Sequence, residues 1–131
     1  MLFHSTRGGD KDKDFASILM QGLADDGGLF MPDHWPQVDL EKIKGLQSVV
    51  EVAKEIVPLF TASSFTQAET IKIVENTWHD FEHQDLVGIQ TIENISVLEL
   101  FHGPTAAFKD FGLQLAAAFF NEVLELSLIH I

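Results

Sequence analysis

The chain has 131 residues, 46% of them hydrophobic and 21% charged, a composition typical of one globular domain or of a small domain with part of a second. Its net charge of -12 argues against nucleic-acid binding, because a polyanion would be repelled. The chain contains no cysteine, which excludes disulfides, thiolate metal sites and a cysteine nucleophile.

The sequence carries no sign of a membrane anchor. Residues 1–5 lead into a charged run instead of an apolar signal core. No uninterrupted apolar run reaches the roughly 20 residues that a membrane span needs. We therefore expect a soluble, cytoplasmic protein that makes no membrane contact.

The N-terminal third predicts a short strand followed by two short helices. Residues 2–6 alternate weakly, as a strand does, and residues 15–21 form a helical pattern that the preceding aspartate is suited to cap. The run at residues 25–28, DDGG, predicts a turn, and the spacing of a calcium-binding EF-hand is missing. A second short helix is predicted from the capping residue Asp39 to Lys44.

Two capping boxes predict the next two helices. Each pairs a hydroxyl residue with a glutamate three positions later: Ser48 with Glu51, and Thr66 with Glu69. The amphipathic helices that follow are predicted over residues 49–60 and 67–80. Together they suggest a small helical layer.

The segment HDFEH, at the end of the second of these helices, carries two imidazoles at i and i+4. On one helical face, His79 and His83 would have a spacing that chelates zinc. The order differs from HExxH, because Asp80 occupies the glutamate position. We interpret the segment as a solvated polar helix end and predict no metal site.

The last part of the chain predicts two strands, a turn and a helix. The strands are predicted over residues 86–91 and 96–101, joined by Glu93 and Asn94. A turn at residues 102–105 follows.

From Ala106 onward the residues are apolar almost all round, which predicts a buried helix with Pro104 at its start. Lys109 would lie in its first turn, with phenylalanines close on both sides. Burial and the partial positive charge of a helix N-terminus both favour a neutral amine, which is a candidate nucleophile. On these residues alone, the commoner explanation is a lysine whose stem packs on apolar neighbours while its head reaches water.

Three motifs resemble the N-terminal part of the threonine synthase family: STRG at residues 5–8, GLADDGGLFMP at residues 22–32, and LELFHGPTAAFKDFGLQ at residues 98–114. The resemblance covers residues 1 to about 120, and its last motif is the most specific. It implies that Lys109 forms a Schiff base with pyridoxal 5'-phosphate. It also implies the conversion of O-phospho-L-homoserine, a small-molecule substrate, and water into L-threonine and phosphate.

The resemblance implies an α/β fold in two parts. Residues 1–85 correspond to a small mixed α/β N-terminal domain, and residues 86–131 to the beginning of a fold-type-II cofactor domain that is incomplete. Members of the family are several times longer, so the glycine-rich phosphate loop and the partner of the pyridine nitrogen are expected downstream. Residues 126–131 depart from the family pattern, and we expect a truncated or misassembled chain that is inactive alone.

Other roles stay open. The resemblance leaves Arg7 either facing an anionic substrate or forming a structural salt bridge, and it leaves open whether His102 contacts a ligand. Asp110 is expected to stabilise the helix N-terminus and to point away from Lys109. The alternative to an enzyme is a non-catalytic acidic α/β interaction module, which retains an idle lysine and binds a partner through its exposed apolar helix.

Overall fold

The computed structural model describes residues 1–128, with side chains described through residue 125, so the predicted atypical tail at residues 126–131 lies outside the described side chains. The elements in chain order are β1 (Phe3–Ser5), α1 (Phe15–Gln21), β2 (Phe30–Pro32), α2 (Leu40–Lys44), α3 (Val49–Thr61), α4 (Gln67–Glu75), β3 (Gly88–Ile92), β4 (Ile95–Glu99) and α5 (Asp110–Leu128). The predicted mixed α/β class is confirmed.

The strands form two separate antiparallel pairs. In the first pair, β1 lies against β2 with His4 opposite Met31. In the second pair, β3 and β4 form the predicted hairpin around Glu93 and Asn94. Glu93 has a φ of 56°, the left-handed conformation that a two-residue hairpin loop requires.

Side-chain caps begin three of the predicted helices as expected. Asp14 accepts a hydrogen bond from the Ser17 amide at 2.7 Å at the start of α1. Asp39 caps α2 in the same way. At α4, Thr66 and Glu69 form the reciprocal capping box that their spacing predicts.

The predicted capping box of α3 is only half present. Ser48 accepts a hydrogen bond from the Glu51 amide at 3.1 Å, as predicted. The Glu51 carboxylate accepts instead from the amide of Gln47 at 2.6 Å, one residue before the cap. The helix start is therefore held by two side chains that satisfy different amides.

Helix α4 ends at Glu75, five residues before the predicted end at residue 80. The Asn76 side chain donates to the carbonyl oxygen of Lys72 at 2.8 Å and closes the last turn. His79 and His83 consequently lie in the irregular segment after the helix. The zinc spacing considered for one helical face does not apply to them.

Two clusters of buried apolar side chains form the core, and α5 contacts both. The first contains Phe65, Ile73 and Phe119, and the second contains Val74, Trp78 and Leu86. Phe119 is 2% exposed, and its ring centroid lies 5.1 Å from that of Phe15 on α1. Phe111, at the start of α5, packs against the second cluster. The helix therefore joins the last part of the chain to the helical layer.

The hairpin and the outer side of α5 remain exposed. The exposed apolar side chains of the hairpin are Ile89, Ile92, Ile95, Val97 and Leu98. Leu113 on α5 is 63% exposed, and Phe108 just before the helix is 65% exposed. All-round burial of this helix is therefore wrong for the described chain, in which apolar side chains of α5 and of the hairpin are exposed to solvent. Among residues 1–128, no helix is both long and apolar enough to cross a bilayer.

Phe119 carries the contact of α5 with the first cluster, so Phe119→Ala should destabilise the chain by about 3–5 kcal/mol. Leu113→Ala, on the exposed side of the same helix, should change stability by no more than about 0.5 kcal/mol. Urea unfolding followed by circular dichroism measures both variants. Equal losses would contradict the assignment of the buried face.

Candidate functional site

The turn that precedes Lys109 is anchored through His102. The His102 carbonyl oxygen accepts a hydrogen bond from the Glu82 amide at 2.9 Å. Its Nε2 lies 3.0 Å from Glu99 Oε2, and its ring centroid lies 4.8 Å from that of His83. The side chain is only 17% exposed. His102 thus ties the end of the hairpin to the segment that follows α4.

The helix predicted from residue 106 begins at Asp110. Ala106 has a φ of 54°, and a residue in this left-handed conformation cannot continue a right-handed helix. Pro104 consequently lies in the turn before the helix. Lys109 directly precedes the first helical residue, and its carbonyl oxygen accepts the hydrogen bond of the Leu113 amide at 2.9 Å.

The Lys109 side chain is exposed, so its predicted burial is wrong. Its amine makes no hydrogen bond or ion pair with the side chains described through residue 125 or with the backbone of residues 1–128, whereas Lys54, for example, is paired with Glu75. The buried side of α5 carries Phe111 and Phe119, and Lys109 lies outside that contact. A primary amine without a partner is chemically available to condense with an aldehyde.

Asp110, the residue after Lys109, folds back onto the preceding turn. Its side chain is 3% exposed and accepts two hydrogen bonds from Thr105, one from the amide at 2.9 Å and one from the hydroxyl at 2.6 Å. The Thr105 hydroxyl is the main reason that the pKa of Asp110 lies below its ordinary value. A side chain on Gly103 would collide with this carboxylate, since its Cβ would lie 2.6 Å from Asp110 Cβ.

The start of α5 is also held from its other side. The indole Nε1 of Trp78 donates a hydrogen bond to the carbonyl oxygen of Phe111 at 3.1 Å. The ring of Phe111 lies 4.9 Å from that of Phe81. The backbone on both sides of Lys109 is therefore fixed by contacts with earlier parts of the chain.

A second constellation joins the motifs STRG and DDGG around one carboxylate. Asp26 accepts hydrogen bonds from the Ser5 hydroxyl at 2.7 Å and from the amides of Gly9 and Gly28 at 2.8 Å each. The Ser5 hydroxyl is the main cause of a lowered pKa of Asp26. The Arg7 guanidinium donates to the Asp26 carbonyl oxygen at 2.9 Å. Within residues 1–128, Arg7 forms no ion pair of the kind considered from the sequence.

The two histidines of HDFEH interact with nearby backbone groups. His79 Nδ1 lies 3.0 Å from the Asn76 carbonyl oxygen, and His83 Nδ1 accepts from the Asp85 amide at 3.2 Å. In the part of the chain that the structure describes, no three carboxylate or imidazole side chains are grouped as a metal ion would require.

The sequence did not reveal two of these features. The convergence of Ser5 and Gly9 on Asp26 joins residues that are far apart in the chain, and the DDGG run predicted only a turn. The bond from Trp78 to Phe111 has no local signal either. The only indication in the sequence that the two motifs are in contact was that STRG and DDGG both belong to the pattern of one family.

Comparisons of the sequence with known proteins point to one family. Residues 2–78 match the family model described as the threonine synthase N terminus. The chain is 40% identical over 127 residues to a threonine synthase of Pseudomonas aeruginosa, and the match covers 95% of this chain and 27% of that protein. It is 38% identical over 121 residues to a threonine synthase of Schizosaccharomyces pombe, covering 89% and 24%.

A solved structure supports the same relationship. The chain resembles the crystal structure of pyridoxal-phosphate-bound threonine synthase from Brucella melitensis, with a TM-score of 0.87 and 40% identity. The similarity covers 95% of this chain and 28% of that chain. The chain therefore spans between a quarter and a third of that structure, and about a quarter of the curated relatives.

Asp26→Asn should lower the melting temperature at about pH 7, because an amide cannot accept from all three donors of Asp26. The folded-state pKa of Asp26 is lowered, so its contribution is present above the ordinary value of the group and is lost as pH falls through the lowered value. The gap between the wild-type chain and the variant should therefore narrow as the pH falls below the ordinary value of an aspartate.

Melting curves by circular dichroism across this pH range measure the gap. Asp25→Asn is the matched control, since the neighbouring Asp25 is exposed and accepts from the Gln21 side chain at 3.0 Å. A gap for Asp26→Asn that stays constant over the whole range would disprove the assignment.

Proposed function

The chain belongs to the threonine synthase family, and on that premise we propose that it is the N-terminal part of an enzyme that converts O-phospho-L-homoserine and water into L-threonine and phosphate. Lys109 is the proposed site of covalent attachment of pyridoxal 5'-phosphate. Residues 1–85 are the proposed N-terminal domain, and the cofactor domain is proposed to begin at residue 86. Since the chain spans 27% of its Pseudomonas aeruginosa relative, turnover is proposed to need the longer polypeptide.

The observation that supports this function best is the placement of Lys109. Its side chain is exposed, and its amine has no partner among the side chains described through residue 125. It lies at the start of a helix that is fixed on both sides. A primary amine at this position is the type of group that forms a Schiff base with the aldehyde of pyridoxal phosphate.

The proposed reaction requires proton movements that one amine can perform. The phosphate leaves from the γ-carbon, which is remote from the substrate's carboxyl group, so protons must be removed at the α- and β-carbons. One proton must be added to the γ-carbon, which becomes the methyl group of threonine, and water supplies the hydroxyl of the β-carbon. When bound, pyridoxal phosphate supplies an aldehyde for the amine and a ring that takes up negative charge from carbon. In its neutral form, Lys109 Nζ is the group proposed to accept and return these protons.

Incubation of the chain with pyridoxal phosphate, followed by borohydride reduction and peptide mapping, should modify Lys109 more than other lysines. Lys11 and Lys72 are internal controls, because both are exposed and their side-chain amines make no ion pair or hydrogen bond with the side chains described through residue 125. Lys109→Ala should remove the excess label. Equal modification of all three lysines would overturn cofactor binding by this chain and favour the interaction module with an idle lysine.

A completed polypeptide tests turnover directly. In a fusion, the aligned part of this chain replaces its counterpart in the Pseudomonas aeruginosa threonine synthase. We expect the fusion to release phosphate and form threonine from O-phospho-L-homoserine, and Lys109→Ala to lower the rate at least about a thousandfold. Lys72→Ala should leave the rate unchanged. A folded fusion that is inactive, or one whose activity survives Lys109→Ala, would refute the proposal.

A further inference from the structure

The residue after the proposed cofactor lysine carries a buried carboxylate that the proposed chemistry does not use. Asp110 is 3% exposed, and both of its oxygens accept hydrogen bonds from Thr105, five residues earlier. Lys109 lies within the loop that these two bonds close. The loop is short, so a change in the contact displaces the lysine backbone directly.

The loop has little freedom of its own. Ala106 holds a φ of 54°, a conformation that residues with a side chain rarely adopt without support from their surroundings. Its amide donates to the Gly103 carbonyl oxygen at 2.9 Å. Gly103 packs so closely on Asp110 that a side chain there would overlap the carboxylate. The Asp110 carboxylate therefore contacts both Gly103 and Thr105 and stabilises the conformation of the turn.

Asp110 is poorly suited to carry protons. Its side chain is almost completely removed from solvent, and its two oxygens already accept hydrogen bonds. The lowered pKa, caused chiefly by the Thr105 hydroxyl, keeps the group ionised at neutral pH. Its chemistry is therefore that of a constant hydrogen-bond acceptor.

We propose that Asp110 is a positioning residue for Lys109: its two hydrogen bonds with Thr105 fix the turn before α5 and so hold the Lys109 amine in its working position. The inference rests on the proposed function, since Lys109 needs a working position only if it carries the cofactor. On the other side of the lysine, the bond from Trp78 to Phe111 supplies the second fixed point.

A double-mutant cycle in the fusion tests this role. Thr105→Val and Asp110→Asn remove parts of the contact at nearly constant volume, and each should lower kcat about tenfold with little change in KM, as expected when a catalytic group is misplaced. The double variant should be no slower than either single variant, because both act through one contact. Thr105→Ser, which keeps the hydroxyl, should recover most of the lost kcat.

A readout other than turnover is the fraction of Lys109 that borohydride traps at a subsaturating concentration of pyridoxal phosphate. This fraction should fall in Thr105→Val and Asp110→Asn and return in Thr105→Ser. The melting temperature of the cofactor-free fusion records any loss of stability in the same variants.

The chain contains a matched control for stability. At the start of α4, the amide and hydroxyl of Thr66 donate to one oxygen of the Glu69 carboxylate at 2.8 and 2.7 Å, so the same types of donor and acceptor meet there as at α5. Thr66→Val and Glu69→Gln should lower the melting temperature without changing kcat or the trapped fraction.

The outcomes separate the two proposals. An active, Lys109-dependent fusion in which Thr105→Val and Asp110→Asn behave like the α4 controls, or in which their losses add, would overturn the positioning role alone. A folded fusion that neither turns over nor traps pyridoxal phosphate at Lys109 would overturn the proposed function and, with it, this inference.

Discussion

The packing of α5 on two buried clusters is the constraint on which the rest of the structure depends. Phe111 and Phe119 are eight residues apart, about two helical turns, and one helix therefore reaches both clusters. Phe119 meets the first cluster beside α1, and Phe111 meets the second beside the end of α4. With its helix held at these two points, Lys109 has a defined place relative to the N-terminal region although its own side chain is exposed.

Local signals predicted much of the fold. Asp14, Asp39 and Thr66 begin helices where their sequence context indicates, because a side-chain cap and the amides it satisfies lie within one turn. The hairpin follows from two apolar runs and a two-residue loop, for the same reason. The capping box at Ser48 was half wrong, because the Gln47 amide competes for the Glu51 carboxylate.

Where contacts between separate turns decide the conformation, prediction failed. Residues 106–108 favour a helix by composition. The helix nevertheless begins only at residue 110, because Ala106 has a left-handed conformation and Asp110 is hydrogen-bonded to Thr105 in the preceding turn. The apolar composition of α5 likewise predicted burial on every side of the helix. In the described chain, other residues cover only the side that carries Phe111 and Phe119. The cofactor role of Lys109 was predicted mostly from the resemblance to the family. Its exposed amine and fixed backbone emerged only from the three-dimensional contacts.

The arrangement around Asp26 also limits how this protein can change over generations. The Asp26 carboxylate accepts hydrogen bonds from Ser5, Gly9 and Gly28. The backbone carbonyl oxygen of Asp26 accepts one from Arg7. Two of the donors are backbone amides of glycines, which only a replacement by proline would remove. No single replacement elsewhere can therefore compensate for the loss of Asp26. The STRG and DDGG motifs therefore depend on each other physically, because the side chain and the backbone of one residue, Asp26, serve both.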